Sequence, residues 1–91
     1  MTPVYQGRWP VGARIRIADS ATLGTFLREW HYHNPLHPEQ LAHAGRDSTV
    51  ESVGFYHGGD PLYVLESLPG VVWHECCLED ARPEVDRSPV R

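Results

Sequence analysis

The sequence predicts a mainly β domain with a helical insertion, folded as a small barrel. Three observations predict it. A strand-like opening, Gly12-Ala13-Arg14-Ile15-Arg16-Ile17, is followed by a stretch with helical spacing. Three further strand-like runs then follow, separated by Gly- and Pro-bearing turns. The chain has 91 residues, which suits one domain. Several strands joined by tight turns, with little helix, favour a small barrel or a strongly coiled sheet.

Residues 1–10 read as an N-terminal arm in which Tyr5 and Trp9 can dock on the core, with Gly7 and Pro10 setting bends. The domain proper spans 11–80. Its first strand is expected over Val11–Ala18, with Ile15 and Ile17 facing the core and Arg14 and Arg16 facing solvent or a partner. The insertion covers 20–44. Asp19 and Ser20 are good N-cap types, and Leu23, Phe26, Leu27 and Trp30 fall on one helical stripe. Asn34-Pro35 stops the helix, because a residue before proline avoids the α region. Pro38 fits the first position of a second short helix running to Ala44, and Gly45 fits the position just past its end.

The second strand is expected over Thr49–Tyr56. Val50 and Val53 break strict alternation, which predicts a bulge near Glu51-Ser52. His57-Gly58-Gly59-Asp60 reads as a hairpin turn, Pro61–Glu66 as a strand, and Ser67-Leu68-Pro69-Gly70 as a type II turn. Val71–Leu78 reads as the last strand, making four in all. Residues 81–91, with charges and two prolines, read as a flexible tail.

Charge is unevenly spread over a total of −4: residues 1–46 carry +2, residues 47–80 carry −7, and residues 81–91 carry +1. A nucleic-acid reader needs a basic patch, and the second half offers the opposite field, so nucleic acid is not expected as a partner. No apolar run is long enough to cross a membrane, and the first ten residues hold no apolar signal segment, so a cytoplasmic location is expected. Cys76 and Cys77 are adjacent and read as reduced thiols, since a vicinal disulfide is strained.

The order of these segments resembles the SH3-like barrel of the nitrile hydratase β-subunit superfamily over about residues 11–80. The residues that carry the resemblance are the Gly12–Ile17 opening, Ala44-Gly45, Val50 with Val53-Gly54, Leu62-Tyr63-Val64-Leu65, and Trp73-His74-Glu75 with Leu78-Glu79. In that family a Gly-x-x-Val-Arg-Val strand leads into a Gly-x-x-Gly-x-Val segment, a Leu-Tyr-x-Val strand and a closing Trp-Glu strand. Residues 20–44 match only loosely, and His74–Cys77 departs from the usual ending. The resemblance implies an SH3-like barrel acting as a non-catalytic subunit beside a metal-bearing α-type partner. The partner's clustered cysteines are absent from this chain.

Three functions are compatible with the residues. The first is a non-enzymatic accessory or protein-interaction subunit, binding another protein subunit or a second copy. The aromatics Trp9, Trp30, Tyr32, Tyr56, Tyr63 and Trp73 are too many to be wholly internal in so short a chain, and aromatics with Arg mark interfaces. The contact residues expected are Trp30, Tyr32, Tyr56 and Trp73, with Arg14 and Arg16 supplying charge.

The second is a small transition-metal-binding protein. All six histidines fall between positions 31 and 74. Imidazole and thiolate suit zinc or cobalt, and His74 and Cys76, two apart on a strand, would point to one face. His31, His33 and His37 are the further candidate ligands. Against this, no spacing matches a structural zinc pattern, and histidines around two prolines are ordinary loop residues.

The third is a small enzyme using Cys76 or Cys77 near His74, or a carboxylate pair drawn from Glu51, Asp60, Glu66 and Glu75. Acidic surroundings oppose a thiolate, and carboxylates on a sheet edge serve solubility. Gly58-Gly59 lacks the lysine and following helix of a phosphate loop.

Overall fold

A computed structural model describes residues 7–57 and 59–81. Five antiparallel strands form one sheet: β1 (Arg14–Ile17), β2 (Asp47–Tyr56), β3 (Asp60–Leu65), β4 (Leu68–His74) and β5 (Leu78–Asp80). Their order across the sheet is β4-β3-β2-β1-β5. One α-helix, α1 (Ser20–Glu29), and a 3-10 helix, Pro38–His43, lie between β1 and β2.

The first strand is shorter than Val11–Ala18. Gly12 adopts a φ of 93°, which turns the chain before Arg14. Ile15 and Ile17 are wholly buried, as their alternation predicts. Asp19 caps α1 by accepting a 2.8 Å bond from the Thr22 N–H. That bond holds the Asp19 carboxyl below its ordinary range. Leu23 is wholly buried, and Phe26 and Leu27 pack half-buried against the core. The second helix is 3-10 rather than α, with Pro38 at its start. Gly45 follows its cap with a φ of 78°.

Gln40 holds this insertion to the sheet. Its side chain is almost wholly buried. Oε1 accepts from the His37 N–H at 2.8 Å, and Nε2 donates to the Val72 carbonyl at 3.3 Å. Both ends of the amide are thereby satisfied.

The β2 ladder changes register between Val50 and Ser52, where the bulge is expected. The β2–β3 turn pairs Tyr56 with Asp60, and His57 has a φ of 49°. Gly58 lies outside the described residues. The next turn is tighter than Ser67–Gly70, since β4 already begins at Leu68.

Two expectations are corrected here. Among the described residues there are five strands, because the last predicted strand is broken: Glu75–Cys77 form one 3-10 turn, closed by the Leu78 N–H on the Glu75 carbonyl. The sheet also does not close into a barrel. The β5 strand is three residues long and, among the described residues, pairs only with β1. The β4 edge meets Gln40 instead of a strand.

The core gathers Trp9, Ile15, Ile17, Leu23, Leu36, Val50, Tyr63, Leu65, Trp73, Cys77 and Leu78. Trp9 brings the end of the arm onto the sheet. Its indole N–H donates to Asp80 at 2.8 Å, and its ring meets Tyr63 edge-on at 5.6 Å. Tyr5 lies outside the described residues, as does the tail from residue 82 onward.

Candidate functional site

The C-terminal end of α1 carries a cluster of rings. Phe26 and Trp30, one helical turn apart, stack with centroids 5.4 Å apart. Trp30 is met edge-on by Tyr32 at 5.0 Å, by His33 at 5.2 Å and by His74 at 5.0 Å. His33 stacks flat on Tyr56 at 3.7 Å. One cluster thus joins α1, the loop after it, the β2–β3 hairpin and the end of β4.

Backbone geometry sets these rings. The Trp30 indole N–H donates to the His33 carbonyl at 2.7 Å, which curls the loop back on the helix end. Asn34 and His57, the residues directly after the stacked His33 and Tyr56, both have a φ of 49°. Each turns the chain just past its ring, in a region that Asn and His enter more readily than most residues.

His74 is buried beneath the cluster. Its Nε2 lies 3.0 Å from the Asn34 carbonyl and 3.3 Å from that of His33. Carbonyls only accept, so Nε2 carries a proton and donates to them. The Nε2 of His33 lies 3.2 Å from Asp60 Oδ2, but off the line of a hydrogen bond.

Two open depressions flank the Phe26–Trp30 pair. The larger, about 490 Å³, is lined by Thr22, Thr25, Phe26, Glu29, Trp30 and Cys76. The other, about 270 Å³, adds Asp60, Pro61, His74 and Glu75 to Phe26, Trp30 and Cys76. The two share Phe26, Trp30 and Cys76 and together make one groove with an aromatic floor, with the acids Glu29 and Asp60 at its edges.

Glu75 also anchors the other side of the sheet. Its Oε2 accepts from the Tyr63 hydroxyl at 2.6 Å and from the Arg8 backbone N–H at 2.7 Å. Burial first, and then this carboxylate, push the Tyr63 phenol up to about 12.

Comparison of the chain with family models, with curated proteins and with solved structures finds no match to any of them.

The predicted contact residues separate. Trp30, Tyr32 and Tyr56 meet in the ring cluster, and Tyr32 is 71% exposed. Trp73 is wholly buried and is a core residue, because it sits on the inner face of β4 opposite Tyr63. Arg14 and Arg16 stand apart on β1. Arg16 pairs with Asp47 at 3.2 Å, and Arg14 lines a different depression with Thr49 and Glu66.

The metal candidates also separate. His33 and His74 lie 5.2 Å apart, and His74 and Cys76 line the same depression. Cys76 does not share a strand face with His74, because it lies on the 3-10 turn. His37 caps the 3-10 helix beside Asn34, Gly70 and Val71, and His31 is exposed. Among the described residues, no group of three or more His, Cys, Asp and Glu is placed to hold a metal ion. Of the candidate nucleophiles, Cys77 is buried, and burial together with the neighbouring Cys76 pushes its thiol up to about 12.

Sequence reasoning assigned Phe26 to the helix stripe that packs on the core and missed its place in the groove floor. The signal was the end of the stripe. Phe26 lies on the last turn of the helix and Trp30 at its C-cap.

Among the described residues, no helix is long and apolar enough to cross a membrane.

Proposed function

We propose that this chain is a non-enzymatic protein-interaction or accessory module, and that its working face is the groove over Phe26 and Trp30. One observation carries the reading: two large stacked rings floor an open groove, with the exposed Tyr32 beside them. Exposed aromatics grouped around a concavity are the usual energetic centre of a protein interface.

The connectivity supports an SH3-like fold for this module. A long insertion separates β1 from a β2–β3–β4 meander, and a single 3-10 turn returns the chain to β1 through β5. The sheet is shared through β2, which pairs with β1 at its start and with β3 beyond Val50. The role proposed is an accessory one resembling the nitrile hydratase β type, beside another protein subunit or a second copy, and the sequence resemblance over residues 11–80 is what supports it. Two free thiols suit a reducing compartment such as the cytoplasm.

Site-specific photo-crosslinking in cells tests the reading. A benzophenone side chain at Tyr32 is expected to trap one protein of defined mass, and the same group at Glu66 is expected to trap none. Equal trapping at both positions, or no adduct at either, overturns it.

A further inference from the structure

We propose that the groove takes an arginine side chain presented by a segment of a partner protein. The inference rests on the module reading and adds the chemistry of the ligand.

Two features of the groove select that chemistry. The first is its floor. Phe26 and Trp30 are nearly parallel, with 14° between their planes, and Trp30 lines both depressions. Flat aromatic faces attract cations, and guanidinium, itself planar, stacks on them.

The second feature is charge. Glu29 and Asp60 line the groove, and among the described residues neither Arg nor Lys lines either depression. Asp60 has one oxygen 3.2 Å from His33 Nε2 but keeps 59% of its side chain exposed, so its carboxylate can still meet a partner. The Glu75 carboxylate is committed on the other side of the sheet, to the Tyr63 hydroxyl and the Arg8 N–H, so Glu29 and Asp60 are the acids exposed to a ligand. Arg28, the cation of α1, lines neither depression, and its Nη2 donates to Thr25 Oγ1 at 3.3 Å. The wider field agrees, since residues 47–80 carry seven acids and no Arg or Lys.

An apolar ligand alone would cover the rings and gain nothing from the exposed carboxylates of Glu29 and Asp60. A lysine would satisfy the charge but would not lie flat on the rings or bond two carboxylate oxygens at once. Arginine meets both demands.

The test is a titration of the ¹⁵N-labelled full chain with the blocked tripeptide acetyl-Ala-Arg-Ala-amide, followed by NMR. Matched tripeptides carry citrulline, which is neutral and nearly isosteric, or leucine. The arginine peptide is expected to shift the Trp30 indole N–H and the Cys76 amide saturably, about tenfold more tightly than the citrulline peptide. An Asp60→Asn, Glu29→Gln double variant keeps the fold, since both side chains are exposed, and is expected to lose that tenfold preference.

Citrulline or leucine peptides that shift the same signals as strongly as arginine overturn the arginine assignment while the interaction module stands. No shift with any peptide overturns the arginine assignment, and crosslinking at Tyr32 decides the module reading separately. Groove signals that move on dilution of the protein alone assign the groove to a second copy, and overturn the proposal.

Discussion

His33 lies flat on Tyr56, with ring centroids 3.7 Å apart and planes 3° from parallel. The two residues come from the insertion and from the β2–β3 hairpin, so this stack is a tertiary tie between segments far apart in the chain. It is one wall of the ring cluster that contains Trp30.

Removing the stack should loosen the domain. Tyr56→Ala is expected to cost about 1 kcal/mol beyond the lost buried area. In a chain of this size that lowers Tm by about 4–8 °C. Tyr56→Phe keeps the ring and should melt close to wild type. Tyr32→Ala, at an exposed ring, should change stability by less than about 0.5 kcal/mol. Thermal melts of the three variants check the order. A Tyr56→Ala protein as stable as Tyr56→Phe would show that the stack contributes nothing.

Alkaline stability should depend on Tyr63. The folded chain holds the phenolic proton up to about 12, whereas the unfolded chain releases it near 10. The folded state therefore binds more protons between these values, and stability falls as pH rises through them. The contribution is fully present below about 10. Cys77, raised from 9.0 to about 12 by burial and by Cys76, acts with the same sign. Tyr63→Phe should be less stable at neutral pH by about 1–3 kcal/mol, through loss of the bond to Glu75. Its urea midpoint should fall less steeply than wild type above pH 10. Parallel slopes for the two proteins would place the alkaline loss elsewhere.

The two adjacent thiols should react very differently. Cys76 is exposed on the groove side of the 3-10 turn, and Cys77 points into the core. Reaction of the native protein with iodoacetamide should add one group, at Cys76, and the second should follow only in urea. Peptide mass mapping reads the order. Equal rates at both positions in the native protein would mean that the turn opens readily in solution.

Much of the local structure was legible from the residues. Ile15 and Ile17 alternate with two Arg, and they are buried as that period requires. Asp19 caps the helix, Pro38 starts the next one, and the irregular spacing of Val50 and Val53 marks the bulge. Each of these follows from rules that act within a few residues. The last strand was misread because Trp73–Leu78 is apolar enough to continue as β. The chain turns there so that Cys77 enters the core, and its carbonyl bonds the Ala18 N–H at 2.9 Å.

The candidate site was legible only in part. Trp30, Tyr32 and Tyr56 stood out by type, and they do gather. Trp73 stood out equally and is in the core, because aromatic character alone does not say which face of a sheet a ring will occupy. Local sequence determined the elements: a half-buried strand, a capped helix, a meander with its bulge, and an acidic second half. Tertiary structure decided whether the sheet closed, which rings formed the groove floor, and which acids stood around it. These depend on contacts such as Gln40 to Val72 and His33 to Tyr56, between residues 32 and 23 positions apart. Contacts at that range form only once the whole sheet is in place, so no local pattern of residues encodes them.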